Sequence, residues 1–488
     1  MFHRVADIIN RLKLDIEFLS GGNCVDYSPI TGEQIASFPL SDAAQVQTAI
    51  DRSCRAFREW REVPPHERGE TIRLFAEELR ENREDLINLI MIETGKIRIA
   101  AQKEIDRTIA VSEFVASIPQ RLSGVSAPTE NHRLSIAQTW VPLGPVAVIT
   151  SFNFPVRVWA MNALVALACG NSVIWRPSRK ATLTAFAVNT LLRRAKARST
   201  ANCPEYLSQL LICDHPESAI LAQSKQIPLL CATGSPVISN ALQSKVGARL
   251  GRSILTIGGN NAAVVAESAD IDLAVREILL STIADCGQRS TSLQRLFCHR
   301  SVYDAVVGRL KDAFLKVYVN SPFERMSEIG PMIDREGFDI MQSALDRARA
   351  LGAVVTGGDR LKVVSSDKAY YVQPAVVEFP NQNDLVKAEL LAPLLYVMPY
   401  DDLEDAIAKV NAYPQTLVSC LFTNNVAEAG LFSSMNGVLS TTATINAGTV
   451  GYDLQAIFGS GKSVGAGDPA ESWRTFMQAR TCLINYNV

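Results

Sequence analysis

The sequence predicts an α/β fold in which parallel sheets are covered by helices on both faces. Of its 488 residues, 47% are apolar and 20% are charged, proportions that are typical of a soluble globular chain with a large core. Short apolar, β-rich runs alternate with longer stretches of helical periodicity. Because strands of a parallel sheet are buried on both faces, they read as continuous apolar runs, and the alternation favours this architecture.

Helices fill the first part of the predicted fold. The stretch MFHRVADIINRLKLDIEFL (1–19) has a helical apolar period broken by charges, which is not the pattern of a signal peptide or a membrane span. Residues 42–82 predict amphipathic helices interrupted by a Pro-Pro turn, because apolar residues recur at intervals of three and four. A further helix is predicted over roughly 84–118.

Strands and helices alternate from residue 141 onwards. The run VPLGPVAVITSF predicts a buried strand, RVWAMNALVALAC a helix, and SVIW the next strand. The same alternation continues through QLLIC, PLLCATGS, RSILTIGGNNAAVVA and SLQRLFCHRSVYDAVVGRLKDAF. No internal repeat and no low-complexity linker is visible, so we expect the domains to interleave.

The charge balance and the cysteines exclude several classes of protein. With 48 basic and 50 acidic residues the formal charge is −2, so no basic surplus favours nucleic acid or an anionic membrane. The ten cysteines include no C-x-x-C pair, which speaks against a zinc ribbon or a secreted disulfide scaffold, and we expect most of them to be reduced and buried. We therefore expect a cytoplasmic protein with a small-molecule or protein partner and without metal, nucleic acid or membrane.

The stretch AIFGSGKS (456–463) has part of the spacing of a phosphate-binding loop. Such a loop cradles phosphates with backbone N–H groups and must be followed at once by a helix. Here VGAGDPAES follows, which supplies two more glycines and a proline before a helix can begin. The context therefore argues against nucleotide hydrolysis.

Small polar residues follow three of the predicted strands. Asn153 in TSFNFP either donates a hydrogen bond to an oxyanion or, as a lone Asn more often does, caps the following helix. The turns ATGS (232–235) and IGGNN (257–261) suit a ligand that approaches the backbone, and equally an ordinary tight turn. Singly these motifs decide little.

Together, in this order, these motifs resemble those of the aldehyde dehydrogenase superfamily. The resemblance rests on VPLGPVAVITSFNFPV, ALACGNSVIWRPS, ATGS, GRSILTIGGNNAAVVAESADIDLAV, GQRSTSLQRLFCHRSVYD and AELLAP, with SPITGEQIASF and IETGK nearer the N-terminus. GRS with GGNN, GQR and the terminal WRTFMQARTCLINY are most similar to the α-aminoadipic semialdehyde dehydrogenase branch. The resemblance covers nearly the whole chain.

The resemblance implies a Rossmann-like dinucleotide-binding domain interleaved with a second α/β domain of the catalytic type. On this basis residues 1–120 and 143–256 are expected to form the first domain and 257–474 the second. Residues 121–142 and 475–488 are expected to form a projecting β-hairpin element for assembly into a homodimer or homotetramer.

The resemblance also implies the roles of particular residues. In the family a cysteine thiolate adds to the aldehyde, hydride passes to NAD or NADP, and a glutamate activates water. Asn153 matches the family's oxyanion-binding asparagine, and Gly259 completes a glycine pair with Gly258. The expected cofactor-binding residues are Ser151, Phe152, Arg176, Ser178, Arg179, Ser235, Gly258 and Glu389.

Two positions depart from the family's chemistry. In GQRST the residue Ser290 stands where the nucleophilic cysteine of GQ-x-C-T belongs, and Thr256 in TIGG stands where the glutamate of E-L-G-G belongs. A serine hydroxyl needs an adjacent base to attack, whereas a thiol near pKa 8.5 is already partly ionised at neutral pH. Cys286 would lie one helical turn from Ser290, about 5 to 6 Å away between Cβ atoms, and we interpret it as a core cysteine.

The cofactor and substrate sides are altered as well. Arg176 replaces the family's adenosine-ribose lysine, and Arg179 stands where many members carry a ribose-binding acid. Arg179 either favours binding of a 2′-phosphate, as in NADP, or is a solvated surface charge. Ala232, Leu391 and GYDLQA (451–456) replace residues that shape the family's substrate pocket.

Three hypotheses follow. The first is a family member that has lost aldehyde oxidation, or oxidises aldehydes very weakly, and still binds a dinucleotide or another ligand. In one form of this hypothesis, dinucleotide binding is also weakened or lost. The second is an active oxidoreductase or weak esterase that uses Ser290 or Cys286 on an unusual aldehyde. The third is an interaction protein that partners an active paralogue.

Overall fold

Two sheets of parallel or mainly parallel strands carry the fold and confirm the predicted α/β class. The structure is a computed structural model and describes residues 2–15, 21–413, 416–451 and 473–486. The phosphate-loop-like stretch at 456–463 lies outside the described residues, as does all of 451–456 except Gly451.

An N-terminal helical layer precedes the first large sheet, as the apolar periodicity predicted. It consists of α1 (Phe2–Arg11), the hairpin β1 (Cys24–Tyr27) and β2 (Gln34–Phe38), α2 (Ala43–Trp60), α3 (Pro65–Glu81), α4 (Arg83–Thr94) and α5 (Arg98–Ala116). The Pro64-Pro65 pair separates α2 from α3 because proline is tolerated in the first turn of a helix but not in its interior. Gly95 ends α4 with a φ of 73°, a left-handed conformation that favours glycine.

The first large sheet has five parallel strands. Its strands are β5 (Val146–Ile149), β6 (Val173–Arg176), β7 (Ser208–Leu210), β8 (Leu229–Gly234) and β9 (Arg252–Ile257), in the order β7-β6-β5-β8-β9. The connecting helices are α6 (Arg157–Ala168), α7 (Thr182–Arg198), α8 (His215–Gln223) and α9 (Pro236–Ala248). The chain leaves β5 towards one edge and returns to β8 on the other side, which creates a switch point between these two strands.

The second large sheet has seven strands in the order β12-β15-β16-β11-β10-β17-β18. It contains β10 (Asn261–Val265), β11 (Leu293–His299), β12 (Val354–Gly357), β15 (Ala375–Glu378), β16 (Leu394–Tyr400), β17 (Val418–Phe422) and β18 (Thr442–Ile445). All neighbours are parallel except β12, which is antiparallel to β15. Its helices are α10 (Ile271–Ile283), α11 (Tyr303–Lys316), α12 (Arg335–Ala350), α13 (Asp384–Lys387), α14 (Leu403–Asn411) and α15 (Val426–Ser433), and a small hairpin pairs β13 (Arg360–Leu361) with β14 (Tyr371–Val372).

A third, thin sheet joins the two ends of the chain. It consists of β3 (Val125–Ala127), β4 (Leu134–Pro142) and β19 (Met477–Asn485), all antiparallel, in the order β19-β4-β3. After the buried Met477, every described residue of β19 is exposed. These strands lie in the two segments predicted to form an assembly element, and the domain boundaries themselves stay predictions.

Successive residues of the central strands face different cores. In β10, Ala262 and Val264 pack into the core on one face of the seven-stranded sheet, while Ala263 and Val265 pack into the core on the other. In β5, Val146 and Ala147 likewise pack into two different cores. Burial on both faces explains why these strands read as uninterrupted apolar runs.

The cysteines and helices add three further findings. Seven of the ten cysteines are buried and all are free thiols, which confirms the expectation of a largely buried, reduced set. Among the described helices, none combines the length and apolar character needed to cross a membrane. Across the described ranges, no three His, Cys, Asp or Glu side chains group in a way that could hold a metal ion.

Candidate functional site

The residues predicted to form the site collect at the carboxyl ends of the first sheet's strands. Ser151, Phe152 and Asn153 follow β5. Arg176 is the last residue of β6, and Thr256 is the last residue but one of β9. Because parallel strands end at the same edge, the switch point between β5 and β8 opens at this edge, where open α/β sheets bind their ligands.

Asn153 does not cap a helix, so the interpretation that favoured a cap was wrong. The next helix, α6, begins four residues later and its capping residue is Val156. Instead, Asn153 Nδ2 donates to the carbonyl of Gln288 at 3.0 Å, and its Oδ1 accepts from Ser151 Oγ at 2.6 Å. The side chain thus joins the edge of the first sheet to the loop that carries Ser290, and one of its two amide hydrogens is used in that bond.

The loop before Ser290 is not helical in the way the spacing suggested. Residues 284–287 form a short 3₁₀ turn in which Asp285 and Cys286 have φ values of 53° and 57° and Gly287 one of 67°. A Cβ on Gly287 would lie 2.2 Å from the backbone of Ala392, so the loop needs glycine at this point. The assumed helical offset between Cys286 and Ser290 was therefore wrong, because the backbone turns left-handed between them.

Ser290 is half-buried and its backbone, not its hydroxyl, is anchored. Asn261 Nδ2 donates to the carbonyls of Ser290 and Ser292 at 2.8 and 2.9 Å. Within the described chain, the Ser290 hydroxyl has no hydrogen bond to a histidine, a lysine or a carboxylate. Activation of a serine requires such a partner.

Thr256 lies on β9 opposite Thr233 of β8. Near neutral pH its hydroxyl group does not ionise and carries no charge, so it does not accept a proton as a carboxylate does. The position at which the resemblance expects a glutamate therefore provides no general base.

Cys286 lies in the core of the second sheet with 2% of its surface exposed. Burial, followed by the charge of Asp285, raises the pKa of its thiol well above the ordinary value. A neutral, inaccessible thiol is neither the nucleophilic form nor reachable by an aldehyde. Cys286 is therefore a core residue, as the sequence analysis interpreted it.

A buried ion cluster supports this loop, and no motif in the sequence predicted it. Lys96 Nζ lies 2.6 Å from Glu104 Oε2 and 3.7 Å from Asp285 Oδ2, and Arg289 Nε donates to Asp285 Oδ2 at 2.6 Å. Burial alone would raise the pKa of Asp285, but Arg289 and Lys96 outweigh it and lower that pKa. The cluster fixes the left-handed turn from both sides.

An aromatic ring completes the cluster. Lys96 Nζ lies 3.7 Å and Arg289 Cζ 5.4 Å from the centroid of the Phe154 ring, distances at which cations are attracted to an aromatic face. Glu104 Oε1 accepts from the backbone N–H of Val156 at 3.0 Å. Lys96 belongs to the IETGK motif and Arg289 to the GQRST motif. Nothing local in the sequence indicates that these two cations pair with Asp285.

The predicted adenosine side carries two guanidinium groups and one carboxylate. Arg176 is buried, and its Nη2 donates to the carbonyl of Cys213 at 3.1 Å. Arg179 is half-exposed and lies 2.6 Å from Asp214 Oδ1. Burial, with the two guanidinium groups, lowers the pKa of His215, which is the response of a histidine in a positive environment.

The loop after β6 contacts the start of α12. Ser178 Oγ accepts from the backbone N–H of Lys180 at 3.2 Å. Lys180 Nζ lies 2.5 Å from Asp334, which caps α12, and 5.8 Å from the centre of the Phe152 ring. Lys180 thus links the loop that carries Ser178 to Phe152 and to the start of α12.

The remaining predicted cofactor residues lie after β8, after β9 and on the segment that follows α13. Ser235 is exposed and caps α9, so its side chain and the first N–H groups of that helix lie at the end of β8. Gly258 packs directly against Glu389, because a Cβ at Gly258 would lie 1.7 Å from Glu389 Oε1. Glu389 lines a cavity of about 760 Å³ beside α12, and burial raises its pKa to about 7.

The chain belongs to the aldehyde dehydrogenase family. The sequence profile of the aldehyde dehydrogenase family matches residues 20–482. The chain is 33% identical over 462 residues to aldehyde dehydrogenase family 7 member A1 of Pisum sativum, covering 94% of this chain and 90% of the relative. It is 29% identical to the alpha-aminoadipic semialdehyde dehydrogenase of Bos taurus, over 94% of this chain and 85% of that one.

Solved structures share the fold. The betaine aldehyde dehydrogenase of Staphylococcus aureus, solved in complex with NAD+, has a TM-score of 0.89 at 23% identity and covers 95% of this chain and 92% of its own. A 3,6-anhydro-L-galactose dehydrogenase has a TM-score of 0.88 at 23% identity, over 94% and 96% of the two chains. These likenesses confirm the fold that the sequence resemblance implied.

Proposed function

We propose that this chain is a family member that binds a dinucleotide but has lost, or nearly lost, aldehyde oxidation. The observation that carries the proposal is the pairing of Ser290 with Thr256 at the two reacting positions. Neither supplies a thiolate or a carboxylate, and no base in the described chain hydrogen-bonds the Ser290 hydroxyl.

The neighbouring groups do not replace the missing ones. Cys286 is buried and neutral, and Asp285 is already paired with Arg289 and Lys96. Losing a general base costs about 10² to 10⁴ in rate, and losing the nucleophile as well leaves binding and oxyanion stabilisation as the remaining contributions. These considerations favour the first hypothesis over an oxidoreductase or esterase that uses Ser290 or Cys286.

The residues around the switch point fit a dinucleotide. The absence of a Cβ at Gly258 leaves room for the carboxyl group of Glu389, which suits ribose hydroxyl groups, and the helix N-terminus at Ser235 suits a pyrophosphate. When bound, NAD(P) supplies a nicotinamide ring that accepts hydride. Arg176 and Arg179 outnumber the single carboxylate of Asp214, which favours the 2′-phosphate of NADP over a solvated role for Arg179.

Isothermal titration with NAD and NADP tests the binding part of the proposal. We expect both to bind, NADP more tightly, and Gly258→Ala to weaken the binding of both because the new methyl group would displace Glu389. Gly247→Ala is the matched control, since no atom lies within 4 Å of its added Cβ. An absence of heat from both dinucleotides at millimolar concentration would overturn this part.

A second proposal concerns assembly. We propose that the thin sheet β19-β4-β3 mediates a homodimer or homotetramer, because the outer strand presents Leu483, Ile484 and the nearby Tyr486 to solvent. An exposed apolar edge strand is usually covered by another chain. Sedimentation analysis should show a dimer or tetramer that Leu483→Asp dissociates, whereas a wild-type monomer would contradict it. Co-purification of an active paralogue would instead favour the third hypothesis.

A further inference from the structure

Two buried side-chain amides of the second sheet hold the backbone on both sides of Glu389. This residue lies between α13 and β16, in a stretch that we call the Glu389 segment (386–390). Gln294 is the second residue of β11, Asn260 immediately precedes β10, and both are buried. Neither was predicted to belong to the site, although both lie in motifs that carry the family resemblance.

Gln294 binds Leu390 through both of its polar side-chain atoms. Its Nε2 donates to the Leu390 carbonyl at 2.8 Å, and its Oε1 accepts from the Leu390 N–H at 3.0 Å. The backbone of an antiparallel strand makes the same reciprocal pair of hydrogen bonds. Backbone pairing between β11 and β16, however, begins only at Arg295 opposite Tyr396. The side chain of Gln294 thus stands in for a backbone partner and fixes the residue directly after Glu389.

Asn260 holds the other side of Glu389. Its Nδ2 carries two hydrogens and donates to the carbonyls of Val386 at 2.7 Å and Ala388 at 3.4 Å. Asn260 also lies two residues after Gly258, where an added Cβ would overlap the Glu389 carboxyl group. One side chain therefore connects the stretch that contains Gly258 with the Glu389 segment, and the carboxyl group of Glu389 packs between them.

A buried guanidinium group keeps Asn260 in place. Arg295 Nε donates to Asn260 Oδ1 at 2.9 Å, and Arg295 Nη2 donates to the Asn260 backbone carbonyl at 2.8 Å. The other terminal nitrogen of Arg295 donates to Gln382 Oε1 at 2.9 Å and to the Lys409 carbonyl at 3.2 Å. Because both the amide oxygen and the backbone carbonyl of Asn260 are fixed, its Nδ2 group is oriented towards the Glu389 segment.

We propose that Gln294 and Asn260 are positioning residues, which hold the Glu389 segment against Gly258 in the ligand-free chain and so place the Glu389 carboxyl group to bind ribose hydroxyl groups of a dinucleotide. This inference rests on the proposed function, since it takes Glu389 as a dinucleotide-binding residue. A binding group keeps its geometry when packing and hydrogen bonds lock the residues around it. A released segment would have to be ordered again on binding, and that ordering lowers the affinity.

Hydrogen exchange of the ligand-free, full-length protein tests the hydrogen bonds without any dinucleotide. Gln294→Met keeps the length of the side chain and removes both bonds to Leu390. Exchange of the Leu390 amide, followed by mass spectrometry of a peptide that contains it, should become at least about tenfold faster. The matched control Gln373→Met removes the bond to the Phe314 carbonyl and should leave the Leu390 amide unchanged. Unchanged exchange of Leu390 in Gln294→Met would overturn the proposal.

Calorimetric titration with NAD and NADP separates positioning from a general structural role. Gln294→Met should weaken the binding of both by about five- to tenfold, whereas Gln373→Met should bind both as the wild type does. In a Glu389→Gln background the Gln294→Met substitution should cause little further loss, because the carboxyl group that Gln294 positions is already gone. An equal loss in both backgrounds would overturn the positioning role.

Asn260→Asp tests the other positioning residue. The aspartate keeps an acceptor for Arg295 but has no amide hydrogens for the carbonyls of Val386 and Ala388. It should weaken the binding of both dinucleotides as Gln294→Met does, and wild-type affinity would overturn the role of Asn260.

Two arrangements keep the outcomes distinct. If neither dinucleotide binds the wild type, the proposed function fails, and the exchange of the Leu390 amide still decides whether Gln294 holds the Glu389 segment. If Gln294→Met does not fold, Gln294→Asn replaces it in both experiments. Its amide is one methylene shorter and cannot reach both polar atoms of Leu390, so exchange and affinity should change in the same directions. Wild-type exchange and affinity in Gln294→Asn would then overturn the proposal.

Discussion

The edge of the five-stranded sheet and the loop at Ser290 lie side by side, but they differ in what they keep of the family's chemistry. At the sheet edge, Ser235 follows β8 and caps α9, and Gly258 follows β9 and packs against Glu389, three residues that the resemblance expects to bind the cofactor. At the loop, the backbone is held by Asn261 and Asn153 as firmly as a catalytic loop would need. At the two positions that the resemblance expects to react, the chain nevertheless has a serine, Ser290, and a threonine, Thr256.

This difference shows that positioning and reactivity can separate within one site. Dinucleotide binding depends on many backbone and polar contacts, each worth little, so single replacements leave most of it in place. Bond formation at an aldehyde depends on one electron pair, so one replacement removes it. A well-formed pocket is therefore weak evidence for turnover.

Restoring both reacting groups should have the largest effect. Ser290→Cys combined with Thr256→Glu should raise NAD(P)-dependent oxidation of semialdehydes by about 10² to 10⁴ or more, since it returns a nucleophile to the loop and a base to β9. The absorbance of the reduced nicotinamide measures the rate. Each single variant should gain much less, because nucleophile and base act as a unit.

The control for this experiment is Ser290→Ala with Thr256→Val. It should match the wild type, whose hydroxyl groups contribute nothing on our proposal. A large loss of rate in this variant would mean that Ser290 or Thr256 is already reactive.

Removing the centre of the ion cluster should have the next largest effect. Asp285→Ala leaves Arg289 unpaired and Lys96 with Glu104 alone, and breaking a buried pair in this way costs about 3 to 5 kcal/mol. Chemical denaturation measures the loss. The matched control, Asp339→Ala, breaks the exposed pair with Arg335 and should cost less than about 1 kcal/mol. Equal, small losses in both variants would show that the cluster does not support the loop.

The pH dependence of dinucleotide binding should follow Glu389. Burial raises the pKa of this carboxyl group to about 7. Hydroxyl groups of a ribose are bound by the ionised form, so affinity should rise about tenfold from pH 6 to pH 8 as the proton is lost. Titrations of Glu389→Gln over the same range should be flat, and a slope as steep as that of the wild type would assign the dependence to another group.

The smallest expected effect concerns the choice of dinucleotide. Arg179→Ala should weaken NADP binding by about fivefold, or ~1 kcal/mol, and leave NAD binding nearly unchanged, because a half-exposed guanidinium contributes modestly to a phosphate contact. Parallel titrations with the two dinucleotides measure the ratio. Equal losses for both would return Arg179 to the role of a surface charge.

Much of the fold could be predicted from the sequence because its signals are local. The strands around Val146 and Ala262 read as apolar runs, and the helices between them carry a clear period. The antiparallel edge strand β12 was not foreseen, since pairing direction is set by contacts far along the chain. The resemblance to a family, rather than any spacing, identified the site residues.

The supporting parts of the site could not be predicted for the same reason. Lys96 meets Asp285 only after the chain has folded. The helical offset assumed for Cys286 was wrong because Gly287 must approach the backbone of Ala392, a contact that no local pattern announces. A lone Asn before a helix usually caps it, whereas the hydrogen-bond partner of Asn153 lies on a distant loop.

The most direct test of the account is a single-turnover measurement on the wild-type chain. Enzyme in excess is mixed with saturating NAD or NADP and a panel of semialdehydes, and formation of the reduced nicotinamide is followed by absorbance. We predict no burst and no steady rate above that of Ser290→Ala with Thr256→Val, although the dinucleotide is bound. A burst approaching one equivalent per subunit would contradict the account, because it would require an electron-rich attacking group that the described site does not contain.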